Sequence, residues 1–280
     1  MKKIILLTIS IISSLVGSAQ TKENDTTKIK WNTSTRIWIF HEKPITKADT
    51  VKNEKPKFSK KEFVHWKGLD IGVSMLTTID NKIKLSDELD TTNMNYFLNL
   101  NYSKSLFFSL NAIEKNFRLY KNYVNLVTGL GIEWNSYNFK KNITLDAKAT
   151  YISASNITIV SDSIKYFKNK LNITYLKLPL LIELNTNSEN PKKSFHVSGG
   201  FEFAYKIGSS TKQKYEVNGY DLKSKRRADY NLADFKYSSI VRVGYGNYFT
   251  LFANYGLSEL FESNKGPLVF PLTAGISIGF

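Results

Sequence analysis

The 280-residue chain has no cysteine and only three histidines. Without cysteine it can form neither a disulfide-stabilised exported scaffold nor a thiolate metal site. The histidines, His41, His65 and His196, are too widely separated for a metal-ligand spacing. A GxSxG or comparable nucleophile motif is also missing. We therefore expect no cofactor, no metal site and no enzymatic activity, with His196 a hydrogen-bonded structural residue.

The chain also lacks a long hydrophobic run. No stretch of about 18 apolar residues occurs, which excludes a helical protein of the inner membrane. A shorter apolar run, Ile4 to Val16, follows the basic Met1-Lys2-Lys3 and precedes small residues. This order is typical of a secretory signal peptide. We predict that residues 1–19 are a signal peptide, cleaved between Ala19 and Gln20.

Aromatic residues, in contrast, are abundant. They form 14% of the chain, with 16 Tyr and 18 Phe, although the mean hydropathy is only −0.28. Alternation of apolar with polar residues produces this combination and is typical of membrane β-barrels. Residues 20–65 are instead polar and rich in lysine, which predicts a flexible periplasmic linker with at most one short ordered piece. Residues 66–280 are predicted to form an outer-membrane β-barrel.

Eight segments of alternating apolar and polar residues follow residue 65. Their approximate limits are 66–77, 103–114, 122–138, 170–185, 194–208, 235–246, 248–258 and 272–280. Within the fourth segment the alternation changes phase, which predicts a bulge and leaves the register near Leu171–Lys177 open. Pro179 and Pro271 each remove a hydrogen-bond donor from the sheet, so each predicts a bulge, a strand end or a rim position.

The links between these segments alternate between short and long. Tight periplasmic turns and long outer loops give an up-and-down barrel this alternation. In hydrocarbon every backbone group must pair, so the eighth strand is predicted to pair with the first. The predicted fold is all-β, an eight-stranded antiparallel up-and-down transmembrane β-barrel with an N-terminal polar periplasmic tail. The alternating C-terminus predicts an assembly signal formed by Ile276, Ile278 and Phe280.

Four stretches of the chain resemble a known family. They are "FVHWKGLDIGVSML", "YLKLPLLIEL", "GGFEFAYKIG" and the closing "NYFTLFANYGLSELFE…GPLVFPLTAGISIGF". Over residues 66–280 they are similar to small outer-membrane β-barrels of Bacteroidetes, the group labelled PorT-like or outer membrane β-barrel domain proteins. The resemblance implies an outer-membrane barrel and brings no catalytic residues. The founding member is associated with a secretion pathway, so the resemblance also implies an accessory role in secretion or outer-membrane assembly as an alternative function.

If the apolar set of each strand faces lipid, the opposite set faces the lumen. The charged residues of that set are Asp70, Glu133, Lys177, Glu183, Glu202, Lys206, Lys236 and Arg242. An eight-stranded barrel is just wide enough for side chains to fill, and buried charges must be paired or hydrated. Two hypotheses stay open: a salt-bridged plug in a structural or binding protein, and a narrow channel or gate that transports small solutes.

The densest basic run is "DLKSKRR", with Lys223, Lys225, Arg226 and Arg227. We interpret it as a loop that either is simply solvated or binds an anion such as the phosphates of lipopolysaccharide. The expected partners are outer-membrane lipid and lipopolysaccharide, the barrel-assembly machinery, and a periplasmic or surface protein. Nucleic acid is not expected. The predicted function is structural or binding, through the outer loops and the periplasmic tail.

Overall fold

The computed structural model describes residues 28–30, 38–40, 63–78, 98–146, 157–159, 165–217 and 219–279. The chain divides into two compact units, Met1–Phe58 and Ser59–Phe280. In the first unit, β1 (Lys28–Lys30) pairs antiparallel with β2 (Trp38–Phe40). This hairpin lies within the predicted linker. The second unit begins before residue 66, so the last residues assigned to the linker belong structurally to the following unit.

The second unit is all-β, and its strands pair antiparallel. Its described strands are β3 (Gly68–Thr78), β4 (Leu106–Tyr120), β5 (Val124–Asn138), β6 (Ile143–Leu145), β7 (Ile157–Ile159), β8 (Lys165–Asn185), β9 (Phe195–Val217), β10 (Tyr220–Arg227), β11 (Phe235–Tyr245), β12 (Phe249–Gly256) and β13 (Val269–Gly279). Within the described part of the chain, no helix is long and apolar enough to cross a membrane.

Eight of these strands are each paired along both edges, and β9 also pairs with β10. Going around, β3 pairs with β4, β4 with β5, β5 with β8, and β8 with β9. β9 pairs in turn with β11, β11 with β12, β12 with β13, and β13 with β3. These eight strands coincide with the eight alternating segments, although β4 and β9 run well past the predicted ends. The period-two pattern therefore located these eight strands, but it did not predict β6, β7 or β10.

The predicted bulge in the fourth segment is wrong. The register between β8 and β9 shifts between Thr174 and Tyr175, but the extra residue is Ile207 of β9. In β8 the odd-numbered residues are buried from Asn169 to Asn185, and the change of phase in the sequence arises because the interior at that end is apolar.

The two prolines, in contrast, lie at irregular positions. The β5–β8 ladder skips the position opposite Pro179, where a donor is missing. Pro271 lies beyond the end of the β12–β13 ladder, whose last pair contains Leu272. Each proline thus lies where the ladder on one side of its strand is interrupted or has ended.

The basic run in the link between β9 and β11 is not a loop. It forms most of β10 (Tyr220–Arg227), which pairs antiparallel with the far end of β9. The prediction of a loop there is wrong because β9 continues to Val217 and provides a partner strand. The eight residues of β10 are all exposed.

The interior of the second unit is apolar at one end and polar in the middle. The apolar cluster combines strand residues with residues of the long links between strands. Its members are Leu76, Leu98, Leu100, Tyr137, Phe139, Ile143, Leu145, Leu171, Ile173, Tyr175, Ala204, Tyr230, Leu232, Leu260, Phe261 and Val269. Residues of the long links thus fold over the strand ends and close this end with apolar side chains.

Candidate functional site

Strand alternation places seven of the eight predicted lumen charges in the interior of the second unit. They are Asp70, Glu133, Lys177, Glu183, Glu202, Lys236 and Arg242, all of them buried. The eighth, Lys206, does not join them. It lies opposite Tyr175, at the register shift between β8 and β9, and its Nζ contacts Asp229 and lies 3.2 Å from Asp234 in the link that follows β10. The Lys206 side chain is 7% exposed, so the alternation of β9 holds at this position, but its partners are carboxylates of the link, which a pattern read along one strand does not reveal.

Asp70 is the centre of the network. Its two carboxylate oxygens each accept a hydrogen bond of 3.3 Å from the Arg242 guanidinium. Asn111 donates a further hydrogen bond of 2.9 Å to Asp70. Lys177 bridges two carboxylates, since its Nζ lies 3.6 Å from Asp70 and 3.2 Å from Glu202. Charges this deeply buried are tolerated only when each has a partner of opposite sign.

A second ion pair joins Lys236 of β11 to Glu133 of β5. Asn135 donates to the same Glu133 carboxylate over 2.9 Å. Aromatic rings cover the cations: the Lys177 Nζ lies 5.4 Å from the centre of the Trp66 ring, and the Lys236 Nζ lies 5.0 Å from that of Tyr175. The network therefore ties β3, β5, β8, β9 and β11 together across the interior.

Glu183 pairs with a histidine that the sequence analysis assigned to the linker. The Nδ1 atom of His65 lies 2.9 Å from the Glu183 carboxylate. The His65 ring stacks on His196, with centroids 4.1 Å apart and planes 5° apart, and His196 contacts the Thr250 hydroxyl at 3.0 Å. No group of three or more potential metal ligands occurs among the described residues. The two rings are arranged as hydrogen-bonded structural histidines.

The segment 63–67, called the N-terminal strap here, runs into the interior ahead of β3. Its Trp66 is 1% exposed and packs with Val127, Leu181 and Ile240. The indole lies against β5 at Gly129, which has no side chain. A Cβ atom at this position would lie 2.8 Å from the Trp66 ring. The strap therefore fills part of the interior that the strands alone leave open.

One carboxylate anchors the strap. Glu114 accepts hydrogen bonds from the backbone N–H groups of His65, Trp66 and Lys67 at 3.3, 2.8 and 2.7 Å. Glu114 is not among the predicted lumen charges, because uninterrupted alternation along β4 would place it with the lipid-facing set. The register of β4 with β5 shifts after Asn111, and this irregularity turns Glu114 inward.

We expect Glu114→Gln to loosen the strap. The amide keeps the size of the side chain but has one acceptor oxygen in place of two charged ones, so backbone donors lose their partners. Amide hydrogen exchange in residues 63–67 should become about tenfold faster or more, because each lost charge-assisted bond contributes about 1.5–3 kcal/mol. Glu189→Gln, an equal change of charge in the exposed β8–β9 link, is the control. Unchanged exchange in Glu114→Gln would contradict the anchoring role.

The remaining predicted sites are placed as follows. Lys223, Lys225, Arg226 and Arg227 are exposed on β10. Ile276 and Ile278 are exposed on β13. Phe280, Ala19 and Gln20 lie outside the described residues, so the assembly signal and the cleavage site stay predictions.

The outward face of the eight strands forms an apolar band. On β9 the exposed apolar residues run from Phe195 to Ile207. At about 3.3 Å per residue this stretch is about 40 Å long, and a strand tilt of about 40° projects it onto about 30 Å, the thickness of the hydrocarbon core. Aromatic pairs lie at one end and near the other: Phe195 with Tyr245, centroids 4.6 Å apart, and Tyr205 with Phe235, 5.1 Å apart. The band thus has the height and aromatic edges expected of a surface in hydrocarbon.

The second unit matches a known protein family. A family model described as outer membrane protein beta-barrel domain matches residues 65–262. Among solved structures, Ail of Yersinia pestis, the attachment invasion locus protein, is 12% identical and aligns over 76% of this chain and 99% of its own, with a TM-score of 0.28. Outer membrane phospholipase A of Escherichia coli is 9% identical over 77% and 98%, with a TM-score of 0.21. TM-scores this low carry no functional inference. No curated protein matches the chain.

Proposed function

The chain belongs to the outer membrane protein beta-barrel domain family, and we propose that it is a non-enzymatic structural or binding protein whose eight doubly paired strands close into a non-conducting barrel. Two paired edges on every one of these strands support closure, because a free edge in hydrocarbon would leave backbone groups unpaired. The same proposal includes a signal peptide at residues 1–19 and a periplasmic tail that follows it and ends before the strap begins at residue 63.

The filled interior is the observation that carries the proposal. The apolar cluster lies at the end with the long links, the charge network lies in the middle, and the strap enters ahead of β3. Eight strands enclose only enough space for side chains. A hydrated ion crossing this interior would have to separate Asp70 from Arg242 and Lys236 from Glu133. The salt-bridged plug is therefore favoured over the narrow channel.

The binding surfaces then lie outside the barrel wall. The long links and β10 face the outer side in an up-and-down barrel whose short turns are periplasmic. Outer-leaflet lipid, the assembly machinery and a surface or periplasmic protein are the proposed partners. The motifs quoted above also favour the PorT-like group of Bacteroidetes, with an accessory role in secretion or assembly as the corresponding alternative.

Conductance measurements test the proposal directly. The full mature chain, checked for a gel mobility that changes on boiling, is inserted into planar bilayers beside a general diffusion porin as positive control. We expect no conductance steps from this protein and regular steps from the porin. Reproducible steps from the folded wild-type protein would overturn the plugged barrel in favour of a channel.

A further inference from the structure

Three strands extend beyond the upper edge of the apolar band. The first residues of β8 pair with the last residues of β9, and these pair with β10. Residues directly opposite each other in an antiparallel sheet share a face, as do residues two apart on one strand. The registers therefore determine which side chains of this three-stranded extension lie together.

Two adjacent rows across the extension consist entirely of lysine. One row is Lys170, Lys212 and Lys225, and the next is Lys168, Lys214 and Lys223. Arg227 lies on the same face, in the row nearer to the apolar band, beside Ser210 and Asn172. We call these seven cations the basic face.

The basic face points away from the interior. On the opposite face of the extension, Asn169 and Gln213 are buried. Gln213 donates hydrogen bonds to the carbonyl of Ile143, at 3.1 Å, and to the hydroxyl of Thr144, at 2.9 Å. Because β6 covers that side of the sheet, the lysine rows face outward, on the side that continues the apolar band.

Among the described residues, most of this positive charge has no acidic partner. Lys214 lies 2.7 Å from Asp221, and the other six cations of the basic face form no ion pair with described residues. Like charges directly opposite each other destabilise a sheet. Two lysine rows across three strands are thus an electrostatic cost in the isolated protein, which a bound polyanion would remove.

A cavity lies between the basic face and the apolar band. Its volume is about 330 Å³, and Thr174, Gly208, Ser210, Lys225 and Arg227 contribute to its lining. The cavity is open at Gly208, where an added Cβ would have no atom within 4 Å. Ser210 is three residues beyond Ile207, which corresponds to about 8 Å along the membrane normal for a strand tilted by about 40°. At this height the neighbours are lipid headgroups rather than acyl chains.

We propose that the basic face and this cavity bind the phosphate groups of lipopolysaccharide in the outer leaflet. The proposal rests on the membrane placement given under Proposed function. Arg227 offers two parallel N–H donors to a phosphate, and the lysines add charge-assisted hydrogen bonds. Asn172 and Ser210 present polar groups to sugar hydroxyls. The acyl chains of the same lipid lie against Ile207 and Tyr205, which are exposed just below.

Lipid titration of the folded, full-length protein tests this site. The protein in detergent is titrated with purified lipid A and with the same lipid after enzymatic removal of its phosphates, and bound lipid is counted by native mass spectrometry. The test variant is Lys225→Gln/Arg227→Gln. The matched control is Lys192→Gln/Lys193→Gln, which removes two exposed charges from the link between β8 and β9. Inorganic phosphate serves as the competing free anion.

We expect wild type and control to bind phosphorylated lipid A about tenfold more tightly than the test variant does, as the loss of about 1.4 kcal/mol would give. Removal of the phosphates should abolish that difference. Equal binding of both lipids, or equal losses in both double variants, would overturn the site. Efficient competition by millimolar inorganic phosphate would assign it to free anions instead. A boiling-dependent gel mobility of each variant shows that the barrel is intact, whereas its absence in wild type would count against the membrane barrel itself.

Discussion

Gly275→Ala is expected to prevent β13 from pairing with β3, so that little folded protein forms. A Cβ at Gly275 would lie 2.1 Å from the Ile71 carbonyl oxygen and 2.5 Å from the Cα of Gly72, its partner across the ladder. Gly72 is equally confined, with its Cβ position 2.3 Å from the Ala274 carbonyl oxygen. These neighbours are backbone atoms, so no change of side-chain rotamer can relieve the contact.

The two strands would have to separate along this seam, where the first and last of the eight strands meet. In a membrane, separation would leave a row of backbone donors and acceptors without partners, each costing several kcal/mol. The measurement is the fraction of unboiled protein that migrates as the compact form on a gel, together with resistance to protease. We expect a severalfold loss or more.

Gly208→Ala provides the matched control for this seam. It adds the same methyl group to another strand glycine, but nothing lies within 4 Å of the added Cβ. We expect its folded fraction to equal that of wild type. If Gly275→Ala folded as well as Gly208→Ala, the close backbone approach between β13 and β3 would be wrong.

Asp70→Asn is expected to lower the free energy of unfolding by about 3–5 kcal/mol. The substitution keeps the size of the side chain but leaves Arg242 without its carboxylate and Lys177 with Glu202 alone. A buried cation without a counter-charge is much less stable than in water. Unfolding by urea of protein folded into lipid vesicles, followed by tryptophan fluorescence, measures the effect.

Two further variants identify the cause. Glu262→Gln breaks the exposed pair with Lys265, whose atoms lie 2.5 Å apart, and should leave stability unchanged within error. Asp70→Leu/Arg242→Met removes both charges and should be more stable than Asp70→Asn, because no buried charge is then left alone. A double variant as unstable as Asp70→Asn would show that packing, rather than charge pairing, explains the loss.

The sequence alone identified the strands because their signal is local. Side chains alternate between the two faces of any extended strand, so a wall with an apolar and a polar side imposes a period of two on each segment. This is why Asp70, Lys177 and Arg242 could be assigned to the interior before any contact was known. The change of phase near Tyr175 was misinterpreted as a bulge, because an apolar interior at that end of β8 puts Leu171 and Ile173 on the inward face.

Only the tertiary structure decided the features that depend on a second strand. The irregularity after Asn111 turns Glu114 inward, and Asp229 and Asp234 of the link after β10 pair with Lys206 in place of the other interior charges. His65 was assigned to a linker, yet it reaches Glu183 and His196.

The basic run shows most clearly that pairing between strands cannot be predicted from the pattern of one strand. Its charges were visible in the sequence, but its pairing with the end of β9 brings together lysines from three separate parts of the chain. Alternation along one strand determines which way a side chain points. Register between strands determines which side chains meet, and register is set by hydrogen bonds between residues that are distant in the chain.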